Sequence, residues 1–187
     1  MDDVVGRLDL ISSNNVLLID ETLCIKCDNC VSACAATHGG YSRLNRRRGP
    51  SLAYVHVPVA CRHCENAPCL QRCDAGDAIM RDADGVVQIY NHCIGCGHCE
   101  QDCPYGVISM VKVEAEKISD LLPTKPGREA PPPPQENKSI AEIALKCDVC
   151  FNIAGGPACV RHCPTGAAMR VGRDDLQATV TRIMHNA

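Results

Sequence analysis

Apolar residues in this chain come in short runs, and the period of the runs changes along it. Val16-Leu17-Leu18-Ile19 is continuously apolar up to Asp20 and reads as a buried strand. Ala78-Ile79-Met80 and Val86-Val87-Gln88-Ile89-Tyr90 flank the turn sequence Asp82-Ala83-Asp84-Gly85, which predicts a hairpin. Ala167 to Val171 reads as a further strand. From Asp174 to His185, Leu176, Val180, Ile183 and Met184 recur at helical spacing, predicting a packed terminal helix over 173–187. Residues 114–139 break these patterns. Glu114-Ala115-Glu116-Lys117 leads to Pro123, Pro126 and the run Pro131 to Pro134, a composition that favours an extended polyproline II path and cannot join a sheet. This stretch reads as an insertion that runs over the surface or along a partner. No apolar run approaches the roughly 18 residues of a membrane span.

Composition changes the picture of the interior. Of 187 residues 16 are cysteine, and the aromatic share is 3 %, with no Trp and a single Phe. The hydrophobic fraction of 45 % includes those cysteines; without them it falls well below the globular norm of about 45–50 %. Such a chain is expected to hold something other than packed side chains at its centre. The start, Met1-Asp2-Asp3, has neither the basic nor the apolar region of a secretory signal, and Arg46-Arg47-Arg48 lies too far inside to be a twin-arginine leader. A cytoplasmic location is expected, or one peripheral to the inner membrane through a partner. Thiols stay reduced there, so dense cysteines point to metal rather than disulfides. A formal charge of -3 argues against general nucleic-acid affinity.

The cysteines fall into four groups with none left over. Cys24, Cys27, Cys30 and Cys34 are spaced C-x2-C-x2-C-x3-C, as are Cys93, Cys96, Cys99 and Cys103. Cys61, Cys64, Cys69 and Cys73 read C-x2-C-x4-C-x3-C; Cys147, Cys150, Cys159 and Cys163 read C-x2-C-x8-C-x3-C. The third and fourth groups end in Cys-Pro, at Pro104 and Pro164. A C-x2-C-x2-C loop wraps three thiolates around one face of an iron–sulfur cube, and in two-cluster ferredoxins the fourth cysteine of such a run ligates the other cluster. Structural zinc would also use thiolates, but zinc modules pair two C-x2-C hooks across a longer spacer. The pattern therefore predicts four [4Fe–4S] clusters.

The gaps suggest which groups pair. Only 19 residues, reading as the hairpin above, separate groups two and three, whereas 26 separate one from two and 43 separate three from four. Groups two and three thus read as one compact unit, with groups one and four pairing across it through the strands at Val16–Asp20 and Ala167–Val171. Sequential pairing, first with second and third with fourth, is the alternative.

Over about residues 16–172 the sequence resembles the four-cluster ferredoxin-like electron-transfer subunits of bacterial and archaeal oxidoreductases. These are the iron–sulfur partners of dimethyl sulfoxide reductase, formate dehydrogenase, polysulfide and nitrate reductases and some hydrogenases. The likeness rests on the four cysteine groups in order, the Asp84-Gly85 hairpin before group three, and Cys-Ile-Gly-Cys-Gly at Cys93 to Gly97. It implies an α+β fold of two nested bacterial dicluster ferredoxin-like units with short hairpins and short helices. The outer unit would span 16–60 and 140–172, the inner 61–113, with 114–139 inserted. It also implies ligand sets: Cys24, Cys27, Cys30 with Cys163; Cys147, Cys150, Cys159 with Cys34; Cys61, Cys64, Cys69 with Cys103; and Cys93, Cys96, Cys99 with Cys73. Ala35 and Asp74 depart from the family by standing where proline commonly follows the fourth cysteine. Proline there supplies no ligand, so the cluster count should survive, while Asp74 would add a negative charge beside an inner cluster.

The remaining features point to relay rather than catalysis. His63, His92, His98 and His162 sit beside ligands but are read as packing or hydrogen-bonding groups, because each cluster already has four thiolates. Gly95, Gly97, Gly155 and Gly156 are read as letting backbone N–H groups approach sulfur. Arg43, Arg46, Arg47 and Arg48 read as a solvated loop or a docking contact for an acidic partner. No nucleophile elbow, P-loop or G-x-G-x-x-G after a strand is present. The expected function is a non-catalytic electron-transfer subunit. Its partner would be a molybdenum or tungsten pterin enzyme, a hydrogenase or a flavoprotein, with no nucleic acid and no direct membrane insertion. A free polyferredoxin carrier and the cluster module of a redox sensor are the alternatives.

Overall fold

The apolar run after residue 15 becomes the central strand of a sheet. The computed structural model describes residues 4–129 and 140–185. In chain order come helix α1 (Val4–Arg7), strand β1 (Asn15–Asp20), helix α2 (Asn29–Thr37), strands β2 (Ser51–Leu52) and β3 (Val55–His56), and helix α3 (Pro68–Gln71). Strands β4 (Ile79–Arg81) and β5 (Val87–Ile89), helix α4 (His98–Gln101), strand β6 (Ser109–Glu114) and helix α5 (Ile118–Leu121) follow. Strand β7 (Ile140–Leu145), helix α6 (Ala158–Arg161), strand β8 (Ala168–Gly172) and helix α7 (Arg173–His185) complete the set. The chain divides into two units: residues 1–66 with 149–187, and Ala67–Asp148. The boundaries fall inside cysteine groups two and four.

The first unit is built on an antiparallel sheet of order β2-β3-β1-β8. The strands expected at Val16–Asp20 and Ala167–Val171 pair directly, with Val16 opposite Val171 and Leu18 opposite Met169. Val16 to Asp20 are all buried, and because side chains alternate along a strand this buries β1 on both faces. Val16 and Leu18 join Leu8, Leu10, Val55, Val57, Val171 and, from α7, Leu176, Val180 and Ile183 in a packed apolar core. This corrects the expectation that packed side chains are missing from the interior: one face of the sheet carries a conventional core, to which the N-terminal segment contributes Leu8 and Leu10. Leu17 and Ile19 point the other way, and both are buried.

The second unit holds two hairpins. The predicted one forms as β4 against β5, with Ile79 opposite Ile89. The other pairs β6 with β7 over six residues, Ser109 opposite Leu145 through Glu114 opposite Ile140. The composition break at residue 114 is therefore not a structural break. Glu114 ends a strand, residues 115–121 are helical, Leu121 and Leu122 are buried, and Ile140 resumes the sheet. The reading of 114–139 as a surface linker fails for its first half, because the chain there closes a hairpin and packs. The run Pro131 to Pro134 lies outside the described residues. Among the described residues no helix is long and apolar enough to cross a membrane.

Candidate iron–sulfur centres

All four cysteine groups fold the same way locally. The residue before the second cysteine is left-handed in each: Lys26 (φ 58), His63 (φ 48), Gly95 (φ 71) and Val149 (φ 60). A β-branched residue seldom adopts this conformation, so its recurrence where the side chain opposes it marks a backbone shape the site requires. Left-handed turns of this kind point backbone N–H groups into a concavity that favours anions. At Gly95 a side chain is excluded twice over, because a Cβ would also collide with the carbonyl oxygen of Glu142. The third cysteine is then the second residue of a helix in every group: Cys30 in α2, Cys69 in α3, Cys99 in α4 and Cys159 in α6. The fourth follows four residues later, at helical spacing.

The helices pack in pairs within each unit, α2 against α6 and α3 against α4. In the first unit, Cys24, Cys27, Cys30 and Cys163 line a single hollow, floored by Ile19 of β1 and Ala168 of β8. In the second unit, burial pushes the Cys99 thiol up to about 12, with Cys93, Cys69, Cys96 and Cys73 adding to the rise. Burial and like charge both oppose ionisation of Cys99, and a cation among these thiols would favour it. None of the sixteen cysteines is in a disulfide. This donor set suits a cationic iron–sulfur core, and binding it would expel the thiol protons.

Hydrogen bonds from the chain reach several sulfurs. The backbone N–H of Arg43 donates to Cys34 Sγ at 3.2 Å, that of Ala158 to Cys150 Sγ at 3.3 Å and that of Ala168 to Cys163 Sγ at 3.4 Å. Burial pushes the Cys34 thiol up, but His38 and the Arg43 N–H outweigh it, so the net shift is down. Cys163 follows the same balance: burial is outweighed by the Ala168 N–H and the Thr165 hydroxyl, so it too shifts down. Such bonds stabilise thiolate, and at bound clusters they tune potential.

Two of the histidines that the sequence places beside cysteines lie against carboxylates. His92 Nε2 lies 2.8 Å from the Asp77 carboxylate, and its ring stacks on Tyr90. His98 Nδ1 stands 2.9 Å from Asp74, and both gather with Cys96 within 4.8 Å. The negative charge of Asp74 is thus beside a group-three thiol, as its sequence position suggested, but with an imidazole next to it. Asn91, just ahead of group three, is tied to the supposed linker: its N–H donates to the Pro123 carbonyl at 3.0 Å and its side-chain amide to Thr124 at 2.9 Å.

The arginine loop needs correction. Arg43 and Arg46 are buried, so they form neither a solvated loop nor a docking patch. Arg46 lines the hollow, its Nη2 donating to Cys24 Sγ at 3.0 Å and to Glu21 at 3.0 Å. Arg47 stays exposed and pairs with Asp28 at 2.7 Å. The role of Arg46 was not visible in the sequence, because its partners lie 22 and 25 residues away. Burial pushes Cys30 up, against the opposing pull of this guanidinium.

Thiol clusters with this geometry define an iron–sulfur protein. Residues 52–120 and 92–167 each match a family model described as a 4Fe-4S dicluster domain. Formate hydrogenlyase subunit 2 of Escherichia coli is 36 % identical over 87 % of this chain and 84 % of its own length. Hydrogenase-4 component A of the same organism is 32 % identical over 88 % and 85 %. The thiosulfate reductase electron transfer subunit PhsB of Salmonella typhi is 34 % identical over 88 % and 79 %. The chain belongs to this family of 4Fe-4S dicluster iron–sulfur proteins.

Proposed function

We propose that the chain is a non-catalytic electron-transfer subunit that relays single electrons to or from a catalytic oxidoreductase partner through four [4Fe–4S] clusters. When bound, each cluster supplies a one-electron centre whose irons are saturated by sulfur. The protein's part is to hold each one by thiolates from two groups. Cys24, Cys27, Cys30 and Cys163 form one outer set, and Cys147, Cys150, Cys159 and Cys34 the other. Cys61, Cys64, Cys69 with Cys103, and Cys93, Cys96, Cys99 with Cys73, form the inner sets. The observation that carries this reading is the hollow lined by Cys24, Cys27, Cys30 and, from the far end of the chain, Cys163. The pairing of α2 with α6 and of α3 with α4 supports a nested arrangement over a sequential one.

The names of the relatives, a thiosulfate reductase electron transfer subunit, a formate hydrogenlyase subunit and a hydrogenase component, support a catalytic redox enzyme as partner; a molybdenum or tungsten pterin enzyme, a hydrogenase or a flavoprotein is the proposed type. Exposed Ile25 and Ile94 each stand two residues before an exposed cysteine, Cys27 and Cys96, where a partner could shield the path from water. Two measurements test the reading. Cys163→Ser should disturb the cluster held by Cys24, Cys27 and Cys30; spectroscopic damage confined to the Cys147, Cys150 and Cys159 site would reject the crossed ligation. Anaerobic purification from the native host should yield a stoichiometric complex with a redox enzyme, whereas a free monomer would favour a mobile carrier.

A further inference from the structure

Arg46 is unusual among the charged groups of the first unit. Its side chain is only 10 % exposed, yet it touches a thiol. Its backbone is anchored: His56 Nε2 donates to the Arg46 carbonyl at 2.7 Å, and the Ser51 hydroxyl lies 2.7 Å from the other ring nitrogen. Its Nη2 donates to both Glu21 and Cys24, while its Nε–H is buried with no hydrogen-bond partner. An unpartnered buried donor is costly, and this one belongs to a residue lining the hollow of Cys24, Cys27, Cys30 and Cys163. It fits a hollow meant for sulfur-rich, negatively charged contents.

We propose that Arg46 tunes this one site, holding the cluster bound by Cys24, Cys27, Cys30 and Cys163 at a higher reduction potential than it would have without the guanidinium, with Glu21 setting how much of the positive charge is felt. The inference rests on the cluster reading above. Reduction adds one negative charge to the site, and a cation held nearby in a poorly solvated setting favours the added charge. The field of the loaded protein is otherwise negative, since four oxidised clusters with their thiolates add about -8 to the formal -3. Arg46 opposes that field locally. Arg46 is a positioning and tuning residue, not a ligand.

The test is a redox titration of the anaerobically purified holoprotein, followed by electron paramagnetic resonance, for Arg46→Gln, Arg46→Lys and Glu21→Gln beside the parent. Arg46→Gln should move one wave to lower potential by roughly tenfold or more in the oxidised-to-reduced ratio, about 59 mV for a one-electron couple. Arg46→Lys should restore most of that shift, and Glu21→Gln should move the same wave upward. Full iron content with every wave unmoved in Arg46→Gln would overturn the inference, as would Glu21→Gln shifting in the same direction as Arg46→Gln. If Arg46→Gln loses the cluster, the upward shift in Glu21→Gln alone decides: present, it supports the inference; absent, it overturns it. A parent protein without iron and sulfide would instead overturn the cluster reading itself.

Discussion

Val149 and Gly95 occupy equivalent places before the second cysteine of their groups, and both are left-handed. For Gly95 the conformation is nearly free and the neighbouring Glu142 carbonyl forbids a side chain. For Val149 it costs on the order of 1–3 kcal/mol, strain accepted where the surrounding site dictates the backbone. Substitutions should therefore act in opposite senses. Gly95→Ala should cost the protein one cluster, about four irons per chain by iron and sulfide analysis, with the others kept. Val149→Gly should leave the content unchanged and slow iron release to a chelator. Glycine at 95 and 97 gave the sequence a visible signal for this geometry; Lys26, His63 and Val149 carried none, since nothing in their side chains favours a left-handed backbone.

At the scale of elements, what could be read was local. Two apolar runs flanking the Asp84-Gly85 turn signalled β4–β5, and the helical spacing of Leu176, Val180 and Ile183 signalled α7. The β6–β7 hairpin was hidden because its arms are separated by proline-rich sequence, and register across a long connection leaves no local mark. The burial of Arg43 and Arg46 was hidden for a similar reason: arginine normally reads as surface, and only tertiary contacts reverse that. The segment after α5 is held by Asp77, which receives Lys125 Nζ at 2.6 Å, His92 Nε2 at 2.8 Å and Arg128 at 3.2 Å. Lys125 first, and His92 next, hold its carboxyl at about 2. A folded-state value below the ordinary aspartate value of about 3.9 means the contribution is complete above about pH 4 and fades as pH falls toward 2. Asp77→Asn removes it at every pH. Hydrogen exchange at Asn91, whose amide bonds Pro123, should then quicken several-fold at neutral pH, and the parent should lose its excess protection only on acidification below pH 4.

The whole molecule combines two kinds of interior. A conventional apolar layer backs one face of the first unit's sheet, while Ile19 and Ala168 on the opposite face floor a hollow of thiols. The four cysteine groups were legible because the cysteines partition evenly, and the nested pairing proposed above starts from the unequal gaps between them. The apolar layer was not, because Leu8 and Leu10 lie ahead of every cysteine motif and gain meaning only by packing against α7 from the far end of the chain. The central claim is that the sixteen thiols hold four iron–sulfur cubes. Counting iron, acid-labile sulfide and zinc per chain in anaerobically purified protein tests it most directly. The account predicts about 16 iron and about 16 sulfide with negligible zinc; stoichiometric zinc in a colourless protein would contradict it.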